Sequence, residues 1–219
     1  MLIFLSVLAA FYFDSYRDEK NRETLYKRHL QDFKIDLETN QGKFNYEINR
    51  SEQEGSGYIS LMIDLLEYTD SIMQNPTRAH ADTLMKLVES RSIIGLSEWI
   101  FTSPQYNELS KTFYSYIKTD SMRYNLERHY RNNTSRTNYK EAINQYVSQF
   151  EDIMDDIDFT AGTNNANRNI IFSSRSRNKI RRIKNTYAGL LSFTLYSKEQ
   201  DEQLLTYVSQ ELKLWGVEE

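Results

Sequence analysis

The sequence predicts an all-α protein, an elongated antiparallel helical bundle with an N-terminal membrane-anchor helix, on three observations. Glycine and proline supply only nine of the 219 residues, about 4% where ~12% is usual, too few turn-formers for the tight reversals of a sandwich, barrel or propeller. Apolar residues recur at steps of three and four through most of the chain, the period of a helix that buries one stripe. The first thirteen residues, MLIFLSVLAAFYF, carry no charge. The chain also lacks cysteine, which excludes a disulfide framework, thiolate zinc ligands and a cysteine nucleophile.

At 1.5 Å per residue, Met1 to Phe13 covers roughly 20 Å of a ~30 Å hydrocarbon core. It reads as part of an anchor, residues 1–16, that runs into the charged segment from Arg17 and is followed by a single helical domain, residues 17–219. A cleaved signal peptide is disfavoured, because no basic residue precedes the run and large aromatics follow it. The other reading is a helix buried in a core or an oligomer.

The first helix continues through a stripe of Tyr26, Leu30, Phe33, Leu37, Phe44 and Ile48, with Asn40 at the skipped position, where the stripe is expected to meet solvent. It is expected to end within Ser51 to Gly57, SEQEGSG. A second helix from Tyr58 stops before Asn75-Pro76, since the residue before proline is pushed out of the helical region. A short helix carries Leu84, Leu87 and Val88, and an apolar connector follows with Leu96, Trp99, Ile100 and Phe101 off any regular stripe. Ser103-Pro104 restarts a helix, and a long one is expected from about Met122 towards Phe159. Thr160 to Asn169 reads as a polar linker. Two further helices are expected, one marked by Ile180 to Leu191 and a last one by Leu204 to Trp215, the latter opened by Ser197 and Gln200 at capping-box spacing.

Three segments resemble a family of single-span bacterial envelope proteins, mostly from the Bacteroidetes, known only as a domain of unknown function. The apolar run leads through Tyr16-Arg17-Asp18-Glu19-Lys20-Asn21-Arg22 into LYKRHLQDFKIDLETN, residues 25–40, similar to that family's anchor and opening helix. Ser103 to Tyr130 is similar to its central Tyr- and Leu-containing segment, and Leu204 to Leu212 resembles its closing helix. The chain departs from the family in its incomplete apolar span and in Lys111-Thr112-Phe113, where a Ser-Gly is usual. The resemblance implies a bacterial inner-membrane anchor with a periplasmic helical domain. The basic residues Arg17, Lys20, Arg22, Lys27 and Arg28 alone would place the domain inside.

No signature of chemistry stands out. His29, His80 and His129 are far apart and lack neighbouring ligands, so they read as surface or capping residues, with no catalytic, metal or cofactor site expected. Glu151 to Asp158 is acid-rich, with carboxylates stacked at i,i+4. Thr160 to Lys198 contains no acid and eight bases. Its Arg175, Arg177, Arg181 and Arg182 either neutralise the acidic run, the preferred reading, or face anionic lipid or an acidic partner. Trp99, Ile100 and Phe101 either close an end of the bundle or form a partner surface. The expected function is a non-enzymatic, membrane-anchored envelope scaffold or interaction subunit, with membrane lipid bound through residues 1–16, a protein partner or homo-oligomer, and no nucleic acid. The alternative is an extracytoplasmic, sensor-like bundle that takes a small ligand between helices.

Overall fold

A computed structural model describes residues 2–48, 58–90 and 104–217, and within them every regular element is helical. The helices are α1 (Leu2–Ile48), α2 (Tyr58–Gln74), α3 (Arg78–Glu89), α4 (Pro104–Asn107), α5 (Asp120–Met154), α6 (Asn165–Ile171) and α7 (Ser174–Leu214). A π-helical turn over Glu108–Thr112 and a 3₁₀ turn over Tyr114–Tyr116 continue the chain after α4.

The long helices are long because their apolar stripes do not lapse. Along α7 a seam of buried positions runs Ser176, Ile180, Ile183, Tyr187, Leu190, Thr194, Ser197, Asp201, Leu204, Val208 and Glu211, alternately four and three apart, with Gln200 and Leu212 buried beside it. That 3.5-residue repeat keeps one seam facing its partners over the whole helix. It also corrects the expected helix break and capping box at Ser197: the residue is 1% exposed and occupies a seam position inside one continuous helix. With no glycine or proline to interrupt the backbone there, the seam outweighs a local capping preference. On α1 the seam runs Tyr26, Leu30, Phe33, Leu37, Asn40, Phe44, Glu47 with the same alternation. Asn40 is thus buried, 1% exposed, and Glu47 rather than Ile48 continues the stripe.

The chain divides into two compact units. One comprises Met1–Gln41, Phe101–Arg131 and Glu199–Glu219, with a core of Tyr26, Leu30, Phe33, Leu37, Leu109, Phe113, Met122, Leu126, Leu204 and Val208 among others. The other comprises Gly42–Ile100 and Asn132–Lys198. Its core joins α2, α3 and α6 to the second half of α5 and the first half of α7, through residues such as Leu66, Leu84, Phe150, Ile171 and Ile183. In that unit Tyr139 meets Phe193, Tyr146 lies by Arg182, and Lys179 bonds Gln149, so α5 and α7 pack antiparallel.

The expected polar linker is an ordered corner. Asn164 caps α6 by accepting from the backbone N–H of Asn167, 2.8 Å away. The buried Asn167 amide in turn donates to the carbonyls of Asp158 and Gly162, each at 2.7 Å. Gly162 turns the chain at φ 58°, a conformation that favours glycine.

No helix among the described residues is long and apolar enough to cross a membrane. The expected transmembrane anchor is therefore not supported as a span: the uncharged run ends at Phe13, and α1 continues into Asp14, Arg17, Asp18 and Glu19.

Two mid-helix glycines should respond oppositely to alanine. A Cβ on Gly42 would meet nothing within 4 Å, so Gly42→Ala should raise stability by about 0.5–1 kcal/mol. A Cβ on Gly189 would stand 2.9 Å from Cε1 of the Tyr139 ring. Gly189→Ala should therefore show no such gain and should destabilise by roughly 1 kcal/mol through displacement of that ring. Urea melts of both variants measure the contrast.

Candidate functional site

The groups with the chemistry of a site lie mostly inside the helices' packing. In the first unit His129 Nδ1 lies 2.6 Å from Asp201 Oδ1, with both side chains at most 2% exposed. The Phe33 ring meets the imidazole edge-on at 5.7 Å. This corrects the expectation that all three histidines are surface or capping residues. An acid beside an imidazole resembles half of a catalytic triad, yet the pair is sealed from solvent, so it orients and joins helices α5 and α7.

Glu211, fully buried in the same unit, collects donors from four places. Its Oε1 accepts from Tyr26 OH at 3.3 Å, the Lys118 backbone N–H at 2.6 Å and Trp215 Nε1 at 3.2 Å, while Oε2 accepts from Thr119 Oγ1 at 3.3 Å. One carboxylate thereby fixes α1, the 117–119 turn and the end of α7. Burial, reinforced by the neighbouring Glu211 charge, raises the Tyr26 phenol pKa above its ordinary value.

The second unit holds two ionic clusters. Glu47 accepts from Arg136 and lies 3.5 Å from Lys140 Nζ, and the Arg136 guanidinium sits 4.7 Å from the centre of the Phe44 ring. Burial lowers the Lys140 pKa, with Glu47 opposing that shift and Arg136 adding to it. Asp70, on α2, is paired with Arg181 at 3.0 Å and with Lys184 at 3.5 Å.

The candidate residues read from the sequence fall apart spatially. Trp99, Ile100 and Phe101 lie outside the described residues. Arg181 is taken up by Asp70, not by the Glu151 to Asp158 run. Arg182 lies 5.9 Å from the Tyr146 ring centre, Arg175 is exposed, and Arg177 is partly buried. Neutralisation of the acidic run by this basic segment is absent among the described residues: no ion pair joins them. Asp70 is missed by sequence reading because it lies 111 positions from Arg181, and nothing in residue order sets it apart from Asp64 and Glu67 on the same helix.

Two surface features remain. On α1, Phe11, Tyr12, Phe13 and Tyr16 are 68%, 70%, 67% and 55% exposed, and the first buried residue beyond them is Tyr26. A cleft of about 490 Å³ in the second unit is lined by Val88, Met154 and Phe159 and by the acids Glu89, Glu151, Asp152 and Asp155. The described residues contain no grouping of three His, Cys, Asp or Glu side chains suited to a metal ion. No family model, no curated protein and no solved structure matches this chain.

The buried pair predicts a non-additive mutant cycle. His129→Leu alone leaves a buried carboxylate without its partner and should cost about 3 kcal/mol, whereas His129→Leu with Asp201→Leu should recover at least about 1 kcal/mol of that loss. Chemical denaturation of the single and double variants measures it.

Alkaline pH gives a second check. Tyr187, like Tyr26, has its pKa raised chiefly by burial. For a phenol whose folded pKa exceeds its unfolded value, the stabilising contribution is intact below the unfolded pKa of about 10 and is lost as pH rises above it. Stability should fall from about pH 10 upward, and Tyr187→Phe should flatten part of that fall in melts taken across the range.

Proposed function

We propose that the protein is a non-enzymatic interaction or scaffold subunit of the cell envelope, held to a bilayer by the start of α1. The observation that carries this reading is the exposed aromatic stretch Phe11 to Tyr16. A helix that is apolar on every side belongs either in a core or in lipid. Phe11, Tyr12 and Phe13 have no place in either core of this chain, which directs them outward. Successive residues step 100° around a helix, so these three cover more than half its circumference. An interfacial helix lying flat would instead carry a charged face along its length. The apolar run therefore enters the bilayer end-on, with the aromatics at the headgroup boundary and the charged residues from Asp14 in water.

The segment from Asp14 to Glu23 holds four acids and three bases, so attraction to anionic lipid contributes little and apolar burial drives attachment. Orientation of the helical domain outside the cytoplasm follows the envelope-family resemblance and belongs to the same proposal. The sensor-like alternative draws less support, since the seams between the helices are filled by side chains and the cleft of the second unit opens at the surface.

Flotation with vesicles of uncharged lipid tests the attachment. The chain should float at low and high salt alike. Phe11→Glu with Phe13→Glu should weaken binding at least tenfold, because it removes the apolar area of two aromatic side chains, each worth about 1.5–3 kcal/mol when buried. Deletion of residues 1–16 should abolish flotation, leave melting unchanged and lower helicity only by the residues removed. Failure of the intact chain to float, or unfolding on deletion, would sink the proposal.

A further inference from the structure

Several helix ends in the second unit carry charge of the unfavourable sign. The C-terminal end of a helix is the negative end of its dipole, and the N-terminal end the positive one. Yet Glu89 closes α3, and Glu151, Asp152 and Asp155 gather at the end of α5. Arg175 and Arg177 occupy the first turn of α7, which holds no acid. Glu151 and Asp155 also repel one another at i,i+4. Among the described residues, none of these four carboxylates has a cationic partner.

The cations have a matching surplus. Arg175, Lys179 and Arg182 fall at i, i+4 and i+7 on α7, a single flank about 10 Å long on which both arginines are exposed and Lys179 is partly buried. Lys179 and Arg182 both approach the Tyr146 ring, at 5.9 Å from its centre, and Lys179 also donates to Gln149. No carboxylate pairs with any of the three among the described residues. On α5, Tyr146 and Gln149 meet Lys179 and Arg182, whereas Ser148, Glu151 and Asp152 line the cleft, which Asp155 continues just past the helix end. The two charge surfaces therefore diverge within one chain. They nonetheless lie at one end of the unit, since α5 and α7 run antiparallel and the first ends where the second begins.

We infer that a second copy of this chain docks at that end, with its Arg175, Lys179 and Arg182 flank against the acidic cleft at the ends of α3 and α5. Because each chain carries both surfaces at one end, a two-fold axis makes the contact twice, once in each direction. Val88 and Phe159 supply apolar area in the cleft for the arginine and lysine stems to cover. Docking relieves the adverse helix-end charges on both sides. The surface is distinct from the aromatic start of α1, so the inference stands independently of membrane attachment.

Sedimentation equilibrium of the full chain in mild detergent tests this. A dimer is expected at about 50 mM salt, with a dissociation constant at least tenfold weaker at about 500 mM. Arg175→Glu with Arg182→Glu should abolish dimerisation, as should Asp152→Lys with Asp155→Lys. An equimolar mixture of the two variants should restore it, because each contact then again pairs opposite charges. Circular dichroism establishes that both variants are folded. If a reversal unfolds the chain, Arg175→Gln with Arg182→Gln keeps the test, with a weakened dimer expected. A wild-type chain that stays monomeric at low salt, a dimer unchanged by folded variants, or loss without rescue on mixing would overturn the inference. So would unchanged association accompanied by loss of binding to phosphatidylserine vesicles in the arginine variant, which would assign the flank to anionic lipid.

Discussion

The structure depends on the uninterrupted three-and-four spacing of buried positions along α7. From Ser176 to Glu211 that spacing holds without a slip, and both cores draw on it: Ile180, Ile183, Tyr187 and Leu190 in one, Leu204 and Val208 in the other. A one-residue slip would turn Asp201 and Glu211 away from His129 and Tyr26 and leave buried polar groups without partners. The seam thus sets the register for everything packed on it, and the polar residues within it make the alternatives costly.

Those polar seam positions have a common character. Asn40, His129, Thr194, Ser197 and Asp201 are all buried at positions where the heptad would accept an aliphatic residue. His129 and Asp201 pair with one another, whereas Thr194 Oγ1 and Ser197 Oγ have no hydrogen-bond partner, and buried polar groups seldom add net stability over a well-packed apolar side chain. In this chain they lie where α1, α5 and α7 would otherwise present interchangeable apolar stripes.

The apolar stripes were legible in the sequence because burial on one side of a helix leaves a direct trace in residue order. Tyr26 to Leu37, Ile143 to Ile157 and Ile180 to Leu191 are seen there and recur in the cores. The polar seam was not legible, since a buried serine or asparagine has the composition of a solvated one. For that reason Ser197 looked like a cap and Asn40 like the edge of the stripe. The corner at residues 158–167 misled for a related reason: asparagine-rich composition signals a loop, whereas the Asn167 amide spends its hydrogen bonds inside the fold on the Asp158 and Gly162 carbonyls. Of the candidate surfaces, the charge segregation was visible, but the choice of Asp70 as partner for Arg181 needed tertiary contact.

The bond between Tyr26 and Glu211 joins residues 185 positions apart, and it bears on how the chain comes to be folded at birth. Synthesis runs from the N-terminus at roughly 5–20 residues per second, and domains fold as their parts emerge. The unit that holds Tyr26 also needs Glu199–Glu219, so it stays incomplete until the last helical turns of α7 leave the ribosome. The other unit has all its segments by Lys198. Tyr26, Leu30 and Phe33 are therefore made well before the last segment that closes over them, and their apolar stripe stays uncovered until that segment arrives.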